Sequence, residues 1–129
     1  MPSLILDCVG VTSTDMHRTV QFYELLGFRF PDIGPEDMHL EAITEPGAVR
    51  LMIDSAELAT KLIGEPPRPS NGSAFGMLCA DPAEVDRVAA AIAEAGFDLP
   101  TPPWDAFWGQ RYATVADPDG YLIDLFAPL

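Results

Sequence analysis

The chain repeats itself, and a repeat restricts topology more than any single element does. The segment from Asp15 to Phe28 aligns with the segment from Glu84 to Phe97. At one constant offset Asp15 meets Glu84, Arg18 meets Arg87, Gly27 meets Gly96 and Phe28 meets Phe97. Each segment follows an apolar, strand-like run, Leu4 to Val11 in the first half and Ala74 to Ala80 in the second. Each is followed by more strand signals. Glu45-Pro46-Gly47 before Val49 to Ile53 echoes Asp117-Pro118-Asp119-Gly120 before Tyr121 to Phe126. Each half therefore reads strand, helix, strand, strand, strand. Residues 1–54 form the first module, 55–72 a linker that can begin with a short helix over Ala56 to Leu62, and 73–129 the second module.

The helices have local causes. Asp81-Pro82-Ala83-Glu84 supplies an N-cap acceptor, a proline at the first helical position and a capping-box acid. Val85, Val88, Ala89 and Ile92 then share one face. Met16, Val20 and Tyr23 form the comparable face of the first helix, whose start lies within Thr12 to Asp15. Gly27 and Gly96 can adopt the left-handed conformation that ends a helix. Asp117-Pro118-Asp119-Gly120, between two alternating apolar runs, predicts a hairpin.

Charge and composition exclude several functions. The formal net charge is -13. Nucleic acid and anionic membranes are repelled by such a surface, whereas a cationic small molecule is attracted; the acids can equally serve solubility alone. No run is apolar enough to span a bilayer, and the start lacks the basic region of a signal peptide, so a cytoplasmic location is expected. Cys8 and Cys79 sit in apolar runs and read as a reduced, buried pair. No glycine-rich strand-to-helix junction marks a nucleotide site.

The tail carries the strongest hint of a pocket. Trp104, Phe107 and Trp108 lie within five residues in a proline-rich approach. Trp104 and Trp108 read as a wall for a flat ligand or, alternatively, as the seal of a dimer interface or core, with Trp104 the one on the rim. Phe107 is read as core more readily than as wall. Arg111 can clamp a ligand carboxylate or phosphate, or pair with Asp105, Asp117 or Asp124. His39 shares a face with Glu41 and Ile43 by alternation and can line a cavity as an acid/base group or stand half-buried. His17, on the first turn of a helix, reads as solvent-facing. Asp124, if inward, is a counter-ion for a cationic ligand or a base.

A first strand, Asp15 before a helix carrying Phe22-Tyr23, Leu26-Gly27-Phe28, and a late Asp117-Pro118-Asp119-Gly120 hairpin together resemble the vicinal oxygen chelate superfamily. That family includes glyoxalase I, extradiol dioxygenases, fosfomycin-resistance enzymes and bleomycin-resistance proteins. The resemblance covers nearly the whole chain. It implies an α+β fold of two βαβββ modules in pseudo-twofold repeat, whose sheets form a cup, and a homodimer. It also implies metal ligands on the first and last strands of each module. Carried over singly, those positions fall on Cys8, on Leu51 or Met52, on Ala74 or Met77, and on Asp124. Only Asp124 is a convincing oxygen donor. The expected reading is thus the metal-free, bleomycin-resistance-like branch, with no cofactor, no metal and no catalytic residue. The expected ligand is a small cationic or aromatic molecule, held by Trp104, Phe107, Trp108, Arg111, His39 and Asp124. The alternative is a metal-dependent glyoxalase- or dioxygenase-type enzyme using Asp124, with His39 and Glu41 as unorthodox ligands.

Overall fold

A computed structural model describes residues 5–69, 71 and 74–129. Contacts divide the chain into two compact units, Met1–Arg68 and Pro69–Leu129. The fold is α+β, with one sheet and at least one helix in each unit.

The first unit runs β1 (Cys8–Ser13), α1 (Met16–Leu25), β2 (His39–Glu41), β3 (Arg50–Ser55) and α2 (Ala56–Ile63). Asp15 caps α1, its side chain accepting from the Arg18 N–H, which settles the start left open by the sequence. Gly27 takes φ +99° after the last turn. The three strands are ordered β1-β3-β2, with β1 parallel and β2 antiparallel to β3. A further strand was expected after Gly27. That segment contributes one bond to the edge, from the Ile43 N–H to the Arg29 carbonyl, and forms no ladder. The expected strand start at Leu4 lies outside the described residues, and the ladder begins at Cys8.

The second unit runs β4 (Phe75–Leu78), α3 (Pro82–Glu94), β5 (Asp98–Ala106), β6 (Gln110–Ala116) and β7 (Leu122–Pro128). Its sheet is ordered β4-β7-β6-β5. Here too the first strand lies parallel to the last, and the remaining pairs are antiparallel. Asp81 caps α3 by accepting from the Glu84 N–H at 2.8 Å, and the Glu84 carboxylate accepts in return from Ala80 at 2.9 Å. The repeated Gly-Phe stop closes both helices identically: Phe28 donates to the Tyr23 carbonyl, and Phe97 to that of Ile92. Such six-to-one closures need the left-handed glycine between them.

Alternation sorts each sheet into two faces. In the second unit α3 packs on β5, β6 and β7. Val85, Ala89 and Ile92 of the helix are buried, as are Ala113, Val115, Ile123, Leu125 and Ala127 of the strands. In the first unit Val11, Leu40, Leu51 and Ile53 are buried, together with Val20, Phe22 and Tyr23 of α1. A buried hydroxyl pair, Ser13 Oγ to Thr19 Oγ1 at 2.6 Å, ties β1 to α1. The remaining face of each sheet is free of its own helix and carries the chemistry.

Cys79 is buried and Cys8 is exposed; both are free. The buried pair expected from sequence is thus corrected at Cys8. That residue opens β1 on the polar face beside Arg50, where flanking apolar residues do not enclose it.

Candidate functional site: an aromatic row and a tethered carboxylate

The helix-free face of the second sheet is built by register. Tyr112 of β6 stands between Trp104 of β5 and Phe126 of β7, and Thr114 stands between Thr101 and Asp124. Trp104 reaches this face through irregularity. Between Thr101 and Trp104 β5 advances three residues while its partner moves only two, from Thr114 to Tyr112. In a regular strand residues three apart point to opposite faces; the extra residue of a bulge restores Trp104 to the face of Thr101. Pro102 and Pro103 occupy this stretch. They are tolerated because β5 is an edge strand with no ladder on its outer side.

The aromatic rings form a continuous edge-to-face chain. Trp108 lies in the β5–β6 turn, 5.5 Å from Trp104, 5.3 Å from Tyr112 and 4.9 Å from Phe107 between ring centroids. Gly109 at φ +92° makes that turn, and the Trp108 indole N–H donates to Gln110 Oε1 at 2.8 Å. Trp104 and Trp108 remain 39% and 48% exposed. Edge-to-face packing holds the rings while leaving π-faces available to a guest.

Asp124 stands at the end of this row. Thr114 Oγ1 donates to its Oδ1 at 2.9 Å. Burial, and then this carboxylate, push the Tyr112 phenol up to about 12. Tyr112 thus stays a neutral phenol at neutral pH, and Thr114 orients the Asp124 carboxyl.

The other anticipated residues take different places. Phe107 is 91% exposed at the turn; the core placement is overturned because a hairpin tip has no second layer to enter. Arg111 alternates with Tyr112 and so lies on the helix side. Its Nε donates to Asp86 of α3 at 3.0 Å and its Nη1 to Asp105 at 3.1 Å. Those bonds raise its pKa further and commit it to tying α3, β5 and β6 together. His39 belongs to the first unit, where its Nδ1 lies 2.5 Å from Asp54 Oδ1. Asp54 was not anticipated. The clue available was its place in the alternation of β3, but its partner required the β2–β3 register.

The metal positions of the family do not assemble from these residues. Leu51 is buried on the α1 side, while Met52 faces away from it. Met77 pairs with Leu125 on the helix side, and the neighbour of Asp124 on β4 is Gly76, which has no donor. Cys8 stands beside Arg50, whose guanidinium is engaged by Asp7 and Glu41. Among the described residues no three His, Cys, Asp or Glu side chains converge. A hard or borderline ion needs such a set, so the donors present do not fit one. No helix among the described residues is long and apolar enough to cross a membrane.

A model of the glyoxalase/bleomycin resistance protein/dioxygenase superfamily matches residues 5–125. Among solved structures, the chain is similar to a glyoxalase/bleomycin resistance protein/dioxygenase from Nocardioides, with 22% identity over 100% of this chain and 86% of that one at a TM-score of 0.74. It is similar to a glyoxalase-related enzyme from Fulvimarina pelagi, with 19% identity, coverage of 98% and 88%, and a TM-score of 0.81. It also resembles lactoylglutathione lyase from Agrobacterium tumefaciens, with 15% identity, coverage of 98% and 94%, and a TM-score of 0.66. No curated protein matches the chain.

Proposed function

The chain belongs to the glyoxalase/bleomycin resistance protein/dioxygenase superfamily, and from that premise we propose that it binds a small cationic or aromatic molecule without a metal ion. Sequestration of a drug, in the manner of the bleomycin-resistance proteins, is the leading version. One observation carries this reading: exposed Trp104 and Trp108 and half-buried Tyr112 form an aromatic row that ends on a carboxylate, Asp124, oriented by Thr114. A flat guest gains dispersion and stacking along the rings. A cationic guest gains the attraction of both the ring faces and Asp124. The acidic surface raises the local concentration of such a guest.

Tryptophan emission, titrated with a bleomycin-type glycopeptide, quinones and planar peptides, tests the reading. A saturable quench or shift is expected with at least one member. Asp124→Asn should weaken a cationic ligand about tenfold, roughly 1.4 kcal/mol, and leave a neutral planar ligand unaffected. A flat response across the panel removes the proposal. So does near-stoichiometric iron, manganese, nickel or zinc in protein purified without chelator; that result favours the metal-dependent enzyme instead.

A further inference from the structure

The helix-free face of the first sheet holds a different kind of chemistry. Backbone hydrogen bonds join Ser55 to Met38 and Ala42 to Leu51. Bonded and non-bonded pairs alternate along an antiparallel ladder, so the positions between, His39–Asp54 and Glu41–Met52, are non-bonded pairs. Side chains approach most closely at such pairs. His39 Nδ1 and Asp54 Oδ1 accordingly meet at 2.5 Å. A carboxylate can only accept, so Nδ1 carries a proton, and in the neutral ring Nε2 presents its lone pair. The imidazole is 45% exposed. On the next strand, a Cβ built at Gly10 meets nothing within 4 Å, so this face has room beside Met52.

From this geometry we propose that His39 is a general base, positioned by Asp54, at a proton-transfer site separate from the aromatic row. His39 is the catalytic residue; Asp54 orients the ring and stabilises the imidazolium that forms. The surroundings restrict the substrate. Arg50 lies four residues before Asp54 on the same face, with its guanidinium engaged by Asp7 and Glu41. Among the described residues of this face it leaves no uncommitted cation to stabilise the oxyanion of acyl transfer. The substrate must therefore carry its own electron sink. The class that fits is a small neutral or cationic compound whose C–H is acidified by conjugation. In the step, the C–H bond breaks, its electron pair moves into the conjugated acceptor and the proton goes to Nε2. The same proton returns to another atom of the substrate, giving an isomer and restoring the neutral imidazole beside the Asp54 carboxylate with nothing else consumed.

The probe is a nitrobenzisoxazole, with the full chain in solution. A base removes its ring C–H, the electron pair forms the nitrile, the N–O bond breaks and the ring opens to one coloured cyano-nitrophenolate; the imidazolium then loses its proton to buffer. The protein should turn over the probe at least about tenfold faster than an equal concentration of free imidazole. His39→Gln should lose that excess, whereas His17→Gln should keep it. Asp54→Asn should lower kcat while its far-UV circular dichroism and urea transition stay those of the wild type, which a loss of structure would not do. For wild type, carbethoxylation mapped by peptide mass should abolish turnover in step with modification of His39 and not of His17. A rate no greater than free imidazole overturns the proposal. So does a His39→Gln variant as active as wild type.

Discussion

The two sheets share a connectivity and differ in what they carry on it. In both, a first strand lies parallel to the last, a capped helix ends in Gly-Phe, and a glycine turn precedes the last strand. Yet the helix-free face of the first sheet carries polar pairs, His39 hydrogen-bonded to Asp54 and Arg50 held between Asp7 and Glu41. The second carries aromatic rings and one tethered carboxylate. The repeat thus lies in the buried positions and turn glycines, which set backbone geometry. The outward positions answer to different chemistry.

The comparison is broken most severely in the cores. Ile53 of β3 and Ile123 of β7 are both fully buried. Ile53→Ala and Ile123→Ala should each cost about 3 kcal/mol, read by urea unfolding. A cost below about 1 kcal/mol at Ile53 alone would mean that the three-stranded sheet collapses into the space and is not an equal of the four-stranded one.

The last turns come next. Asp117 is buried, and its Oδ1 accepts from the Asp119 and Tyr121 N–H groups at 2.9 and 3.0 Å. Glu45, at the matching turn, is exposed and lies 3.7 Å from Arg29. Asp117→Ala should cost about 2 kcal/mol, because it orphans two N–H groups. Glu45→Ala should stay within about 0.5 kcal/mol. Equal losses in thermal melts would erase the distinction between a built turn and a merely tolerated one.

The smallest effect lies at the first strands. Gly10 faces Met52 with open space above it, whereas a Cβ at Gly76 would meet the Phe126 ring at 2.9 Å. Gly76→Ala should destabilise by about 1 kcal/mol as the ring shifts. Gly10→Ala should be neutral or stabilising by a few tenths through the unfolded chain. The same sign at both sites in chemical denaturation would show that the ring is free to swing aside.

Much of the scaffold was legible because its causes are local. Asp15 and Asp81 cap helices by bonding a backbone group three residues on. Gly27 and Gly96 stop them through a positive φ. The Asp117–Gly120 hairpin closes on its own side chain. The site was legible only in part. Trp104, Trp108 and Asp124 were named, but the bulge that joins Trp104 to Tyr112 was not visible, since one inserted residue inverts every side chain beyond it. The same parity sends Arg111 to Asp86. The partnership of His39 with Asp54 needed a register between strands fifteen residues apart.

Taken alone, the order of residues determined the family, the cap of the second-half helix at Asp81 and the glycine stops at Gly27 and Gly96. Each of these depends on spacing within a few positions, or on a pattern repeated along the chain. The tertiary structure decided which side chains share a face and therefore which chemistry assembles. Strand register and bulges are settled by packing between distant segments, and a shift of one residue exchanges the inner set for the outer.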